Sequence, residues 1–362
     1  MVKTKRSKRE ALLAIAVLGV LGFGIVSCDN RRADVGNNDD KDKTPHVQDR
    51  TVTSKPSMVE EEQEQRVDNR AVTHTEEQSI ANQENLIKTV QVEGGTFMYG
   101  RDGSTIGAND RLITVDTFHM GQYLVTQAQW KEVMGENPSH FDGTNKYDSY
   151  SVEDVFIFVP ATPTFNRDNL PVETVSWYDV LVFANKLSVK DGLQPAYKIK
   201  GSTDSAVWGA VPNGYDDKDW DDVEVVTGAN GWRLPTEHQW EFAAKGGTKS
   251  KGYEGKETDT YFLYSGSNDD ELDEFAVYDA NSGYRTHEVG EKKANELGLY
   301  DMSGNVWEWC YEMYAEPGHY SSFRVSRGGG WGNSELDARS VRRGYAPPNY
   351  RYIGNGFRLV RP

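Results

Sequence analysis

The chain has 362 residues, with 56 Asp and Glu against 40 Lys and Arg, a formal net charge of −16. That balance argues against nucleic acid as a partner, because a phosphate backbone is met by clustered Lys and Arg. Its two cysteines, Cys28 and Cys310, leave no room for an intrachain disulfide framework once Cys28 is committed to an export signal.

That signal comes first. Lys3, Lys5, Arg6, Lys8 and Arg9 form a basic stretch, and residues 11–26 an apolar run too short for a comfortable transmembrane helix. The run ends in Ile25-Val26-Ser27-Cys28, which looks like a bacterial lipobox with Cys28 as the lipidation site. The alternative is an uncleaved N-terminal anchor. Both place the protein in the cell envelope, attached to a membrane, on the periplasmic face or the cell surface. Residues 29–88 are polar and strongly charged and cannot bury enough surface to offset ordering entropy. They read as a flexible tether that holds its domain about 40 Å from the anchor on average.

From residue 89 to 362 glycine, tryptophan and tyrosine appear amid regular apolar positions, enough for one domain near the upper size of a single core. Thr126–Gln129, Ser176–Asp179 and Thr236–Gln239 are capping boxes. They predict short helices over 130–134 and 240–245, and a longer one that ends at Asp191-Gly192. Strands are predicted over 89–99, 113–119, 290–293, 324–327 and 356–361. Long loops over 137–169 and 200–231 need internal hydrogen bonding or a metal to be held. The fold class is α+β, with a few short helices, short antiparallel strands and much irregular structure.

The most informative stretch is 297–311. Turn residues Asp301, Ser303, Gly304 and Asn305 run into Trp307-Glu308-Trp309-Cys310-Tyr311, whose period of two sends three aromatics to one face and Glu308 to the other. Asp301, the carbonyls of Gly304 and Val306, and Glu308 make a set of hard oxygen ligands suited to Ca2+. The plainer alternative is a solvated turn with a surface glutamate.

Many blocks then fall into one family's order. They include Val92–Phe97, Val125–Trp130, Asn137-Pro138-Ser139, Leu170–Trp177, Trp232–Glu237, Asn295–Trp309, Arg327-Gly328-Gly329 and Gly356-Phe357-Arg358. Residues 89–362 resemble the formylglycine-generating enzyme, or sulfatase-modifying factor, family. The resemblance implies its C-type-lectin-related α+β fold. It also implies a Ca2+ held at the positions that are here Asp301, Gly304, Val306 and Glu308. The family's second calcium site would begin at Asn281, but the acidic segment that completes it is missing before Val289.

The oxidases of this family bind copper through two cysteines in the C-terminal block, and soft Cu(I) requires such thiolates. Here that block has none: Asn333 stands near the place of the first, and Cys310 reads as a small core residue. This argues against copper and against formylglycine formation by that mechanism. An iron-dependent sulfoxide synthase branch is disfavoured because the seven histidines lack ligand spacing. The expected function is therefore a ligand-binding or accessory module at the envelope, and the competing one an oxidase homologue with altered or residual chemistry. Residues 328–362 carry Trp331, Asn333, Arg339, Arg342, Tyr345, Tyr350 and Tyr352, the composition of a recognition surface for a protein, peptide or glycan. Those arginines could equally pair with carboxylates and those rings fill a shallow core. Some lectin-fold members are receptors diversified by retroelements in this same block, and the chain is compatible with that.

Overall fold

Three capping boxes start the three longest helices among the described residues, as the sequence predicts. Helix α1 (Gln127–Met134) begins at Thr126, whose hydroxyl accepts the Gln129 amide while the Gln129 side chain accepts the Thr126 amide. Ser176 and Asp179 do the same for α2 (Trp177–Lys190), and Thr236 and Gln239 for α3 (Glu237–Ala244). Each box satisfies amides that a helix start would otherwise leave unpaired. The computed structural model describes residues 85–101, 110–142, 147–152, 155–160, 166–251, 253–257, 259–315 and 322–362. The predicted export signal, Cys28 and the predicted tether up to residue 84 lie outside them.

The strands are short. In chain order they are β1 (Thr89–Val92), β2 (Gly95–Tyr99), β3 (Arg111–Val115), β4 (Phe118–Gly121), β5 (Tyr147–Val152), β6 (Val155–Pro160), β7 (Tyr197–Lys198), β8 (Glu224–Val225), β9 (Trp307–Met313), β10 (Arg324–Arg327), β11 (Arg343–Ala346), β12 (Asn355–Gly356) and β13 (Val360–Arg361). One sheet has the order β1-β4-β13 and a second β11-β10-β9-β12, with β12 parallel to β9; β2-β3, β5-β6 and β7-β8 pair by themselves. The chain end is stitched in: Val360 pairs with Met120 in β4 and exchanges two backbone bonds with Arg233.

Helix α2 is buried nearly all round, with Val180, Leu181, Phe183, Ala184 and Leu187 inaccessible to solvent. It forms the centre of one core cluster with Trp130, Trp232, Trp309 and Phe357. A second cluster gathers Phe97, Phe118, Trp240, Phe242, Cys310 and Val325. Strand β9 lies between the two. Trp309 faces the first cluster and Cys310 the second, so the middle of the strand has no solvent face, and Glu308 is as buried as Trp309 beside it. The predicted alternation is present; the solvated side it suggested is not.

The predicted strand at 290–293 is a turn. Gly290 sits at φ 76°, its amide is taken by the Asp301 carboxylate, and Glu291 donates back to the Glu288 carbonyl. In the long 200–231 loop, Trp208 and Trp220 are buried edge to face, and the Trp208 indole donates to the Ser202 carbonyl. Internal bonding of that kind holds this loop.

Candidate functional site

The turn leading into β9 bends through three left-handed residues, Asp301 (φ 57°), Gly304 (φ 83°) and Asn305 (φ 64°). Gly304 has no alternative: a Cβ there would stand 2.2 Å from the Val277 carbonyl oxygen. Asn305 holds the turn in place. Fully buried, it donates its amide to Val277 (2.7 Å), and its carbonyl accepts the Trp331 amide (2.8 Å). Its side chain both accepts from and donates to the main chain of His287, at 3.2 and 3.1 Å. No site role was predicted for Asn305, because Val277, His287 and Trp331, which hold it, are distant in sequence.

The carboxylates predicted to bind Ca2+ are both buried and both engaged by the chain itself. Asp301 accepts the Gly290 amide at 2.7 Å, with the Asn305 side chain at 3.5 Å, and burial pushes its pKa up to about 6. Glu308 receives a two-pronged contact from Arg358, 2.7 Å from Nε and 2.9 Å from Nη2, and the Trp240 indole donates to it at 2.9 Å. A guanidinium therefore stands beside the Glu308 carboxylate that the Ca2+ expectation needs. Among the described residues no three His, Cys, Asp or Glu side chains converge, an observation that bears on metals held by side chains and not on a set with two main-chain carbonyls. The thiolate pair that Cu(I) needs is not in the sequence after residue 28. Cys310 is fully buried, its thiol pushed well up by burial, and no cysteine follows it in the sequence.

The C-terminal block divides. Trp331 is 2% exposed, packs edge to face on Phe141 (5.4 Å) and donates its indole to the Ile353 carbonyl. The expected ligand anchor is a core residue, placed there because the turns around it offer both an aromatic wall in Phe141 and a carbonyl in Ile353 for its N–H. Asn333 is a brace, accepting the Trp307 indole at 2.9 Å. Arg339 is half-buried; Arg342 is exposed and bonds Asp337 at 3.2 Å. Tyr345, 43% exposed, packs on Tyr314 and Phe323.

Tyr350 and Tyr352 form the part of the block that faces solvent as a unit. They are 46% and 41% exposed and stack with centroids 5.7 Å apart and planes 13° apart. The loop beneath them is tied down on several sides. Between the rings Arg351 forks onto Asp179 at 2.7 and 2.8 Å, the same carboxylate that caps α2. Asn349 donates to the Asn213 carbonyl, and the Tyr352 carbonyl accepts the Thr174 amide. Thr174 sits at φ 62°, costly for a β-branched residue. It donates its hydroxyl to the buried Glu173, which also accepts the Phe141 amide (2.9 Å) and whose pKa burial pushes up to about 7. Glu173 and Thr174 are further supports that sequence reasoning left without a role.

A short-stranded α+β domain with much irregular structure, built around a buried Glu308–Arg358 pair, defines a protein of the C-type-lectin-related fold. The chain belongs to the sulfatase-modifying factor family: a model described as "Sulfatase-modifying factor enzyme 1-like domain" matches residues 75–362. A curated relative from Paenibacillus barcinonensis, named chaperone protein LppX, is 37% identical over 75% of this chain and 88% of its own length. Another, the inactive C-alpha-formylglycine-generating enzyme 2 of Bos taurus, is 28% identical over 76% of this chain and 88% of its own. Among solved structures, Treponema denticola variable protein 1 superposes with a TM-score of 0.62 at 33% identity, covering 76% of this chain and 95% of that one.

Proposed function

We propose that this chain is a non-oxidase recognition and accessory module of the cell envelope, anchored through a lipid on Cys28 and meeting a polypeptide partner through Tyr350 and Tyr352. The observation that carries this reading is the exposed ring pair on a loop bolted from below. Two stacked tyrosines with 46% and 41% of their surface in solvent contribute little to a core, yet Arg351, Asn349 and Thr174 all fix the backbone that presents them. Rigid aromatics are the side chains that bind other surfaces at least entropic cost. Tyr345 and Arg342 extend the same terminal block. Likeness to a relative named as a chaperone, and to one named as inactive, supports an accessory role over oxidation. Likeness to a protein named variable supports reading this block as the place where recognition is tuned.

The test uses reduced, aggregating α-lactalbumin as the client. The wild type slows its aggregation, and a Tyr350→Ala/Tyr352→Ala double variant does not, while melting at the wild-type temperature. Equal activity of the two proteins overturns the reading, and so does aldehyde formation by the wild type, with copper, on a cysteine-containing sulfatase peptide. For the anchor, Cys28→Ser moves the protein from the detergent phase to the aqueous one; unchanged partition and mass argue against lipidation.

A further inference from the structure

Arginine is the side chain that usually receives an anionic partner. In the terminal block Arg342, Arg343 and Arg351 are each taken by a carboxylate of this chain: Asp337 at 3.2 Å, Glu237 at 2.6 and 2.9 Å, and Asp179 at 2.7 and 2.8 Å. The charge left beside the tyrosine pair has the opposite sign. Two contacts bring residues 213–222 against the 347–352 loop. Asn349 donates to the Asn213 carbonyl at 2.6 Å, and Tyr178 donates its amide to the Pro348 carbonyl and its hydroxyl to Asp221 at 2.8 Å. Residues 213–222 carry five aspartates and one lysine. Three of the five are matched: Asp219 by Lys200, Asp221 by Arg324 and Asp222 by Lys218. Asp216, exposed, and Asp217, half-buried, form no ion pair among the described residues. Just before them Tyr215 is 51% exposed, a third ring at this surface.

We infer that the partner met by Tyr350 and Tyr352 is a cationic polypeptide segment, rich in lysine or arginine, whose charged heads lie on the ring faces while Asp216 and Asp217 supply the counter-charge. The inference rests on the recognition reading above and adds the sign of the partner. The face of an aromatic ring carries the negative part of its quadrupole, so a guanidinium or ammonium is the charged group it attracts. The same rings pack the apolar stems of Lys and Arg. An acidic segment would meet two unpaired carboxylates instead, with Arg342, Arg343 and Arg351 already engaged. A chain of net charge −16 also draws a cationic segment from the distance that salt allows.

Two reduced, aggregating clients of one fold and opposite charge serve as probes: basic egg-white lysozyme and acidic α-lactalbumin. At about 50 mM salt, the wild type should halve lysozyme aggregation at about one third or less of the concentration that α-lactalbumin requires. Asp216→Asn/Asp217→Asn should erase that preference with melting unchanged, because asparagine tolerates the positive φ of Asp216 (69°) and still caps the short helix Lys218–Asp221. Glu93→Gln/Asp116→Asn, an equal loss of charge in the turns after β1 and β3, should keep it. Tyr350→Ala/Tyr352→Ala should lose suppression of both clients. The cationic partner is overturned, with the tyrosine reading intact, if the wild type suppresses both clients equally or favours α-lactalbumin. A preference that survives Asp216→Asn/Asp217→Asn, or that Glu93→Gln/Asp116→Asn removes as readily, overturns it too. Should the paired variant melt lower, Asp216→Asn alone decides by the same criterion. If the tyrosine variant matches the wild type on both clients, the recognition reading itself fails, and this inference with it.

Discussion

Two regions of this molecule are built from the same residue types and put them to opposite use. Around the 301–308 turn, tryptophan, asparagine and arginine are buried and their polar atoms bond to main chain or carboxylate: Trp331 to Ile353, Asn305 to His287, Arg358 to Glu308. In the 347–352 loop, arginine and asparagine again turn inward, to Asp179 and Asn213, but the rings between them turn out. Whether an aromatic is core or surface is settled here by what lies opposite it. Trp331 meets Phe141 and a carbonyl; Tyr350 and Tyr352 meet each other.

The contrast can be broken first at Trp331. Trp331→Ala should cost about 3–5 kcal/mol, the range for a buried aromatic, read from urea unfolding. A loss below about 1 kcal/mol would put the ring back on the surface. Asn305→Ala comes next, at about 2 kcal/mol or more, since it strips partners from part-buried main-chain groups of His287 and removes a residue type that tolerates positive φ. Near-wild-type unfolding would mean that the turn is held elsewhere.

The third effect is on pH. Burial raises Glu173 from 4.5 to about 7, so the folded chain holds that proton more tightly than the unfolded one. Its contribution is fully present below about pH 4.5 and is lost as pH rises through about 7. Glu312, raised to about 7, and Asp301, raised to about 6, act in the same direction. The urea midpoint should therefore fall across that window, and Glu173→Gln should flatten part of the slope; an unchanged slope would show that Glu173 does not titrate there. Smallest of all, Tyr350→Ala should change stability by less than about 0.5 kcal/mol. A large loss would make the pair scaffold.

What the sequence made legible was local. The capping boxes, the β9 alternation and Cys310 as a core residue all depend on neighbours within a few positions, and the structure shows each of them. What it hid was contact between distant segments. The Ca2+ expectation weighed Glu308 with its own turn, and its partner Arg358 is fifty residues away. Glu173 lies inside a quoted motif, yet its role comes from Phe141, and the anchor assigned to Trp331 failed because Phe141 covers it. Residues 290–293 read as a short strand, but a carboxylate eleven residues on claims the amide of Gly290.

Positions 349 to 352 have a further consequence for anyone who wishes to re-purpose the protein. The loop alternates bolts and blanks: Asn349 and Arg351 fasten it to Asn213 and Asp179, while 350 and 352 only display. A library randomised at the two display positions would leave every fastener in place, and the Asp179 bolt is shared with the cap of α2. New specificities could be screened on a chassis whose folding does not depend on the letters being changed.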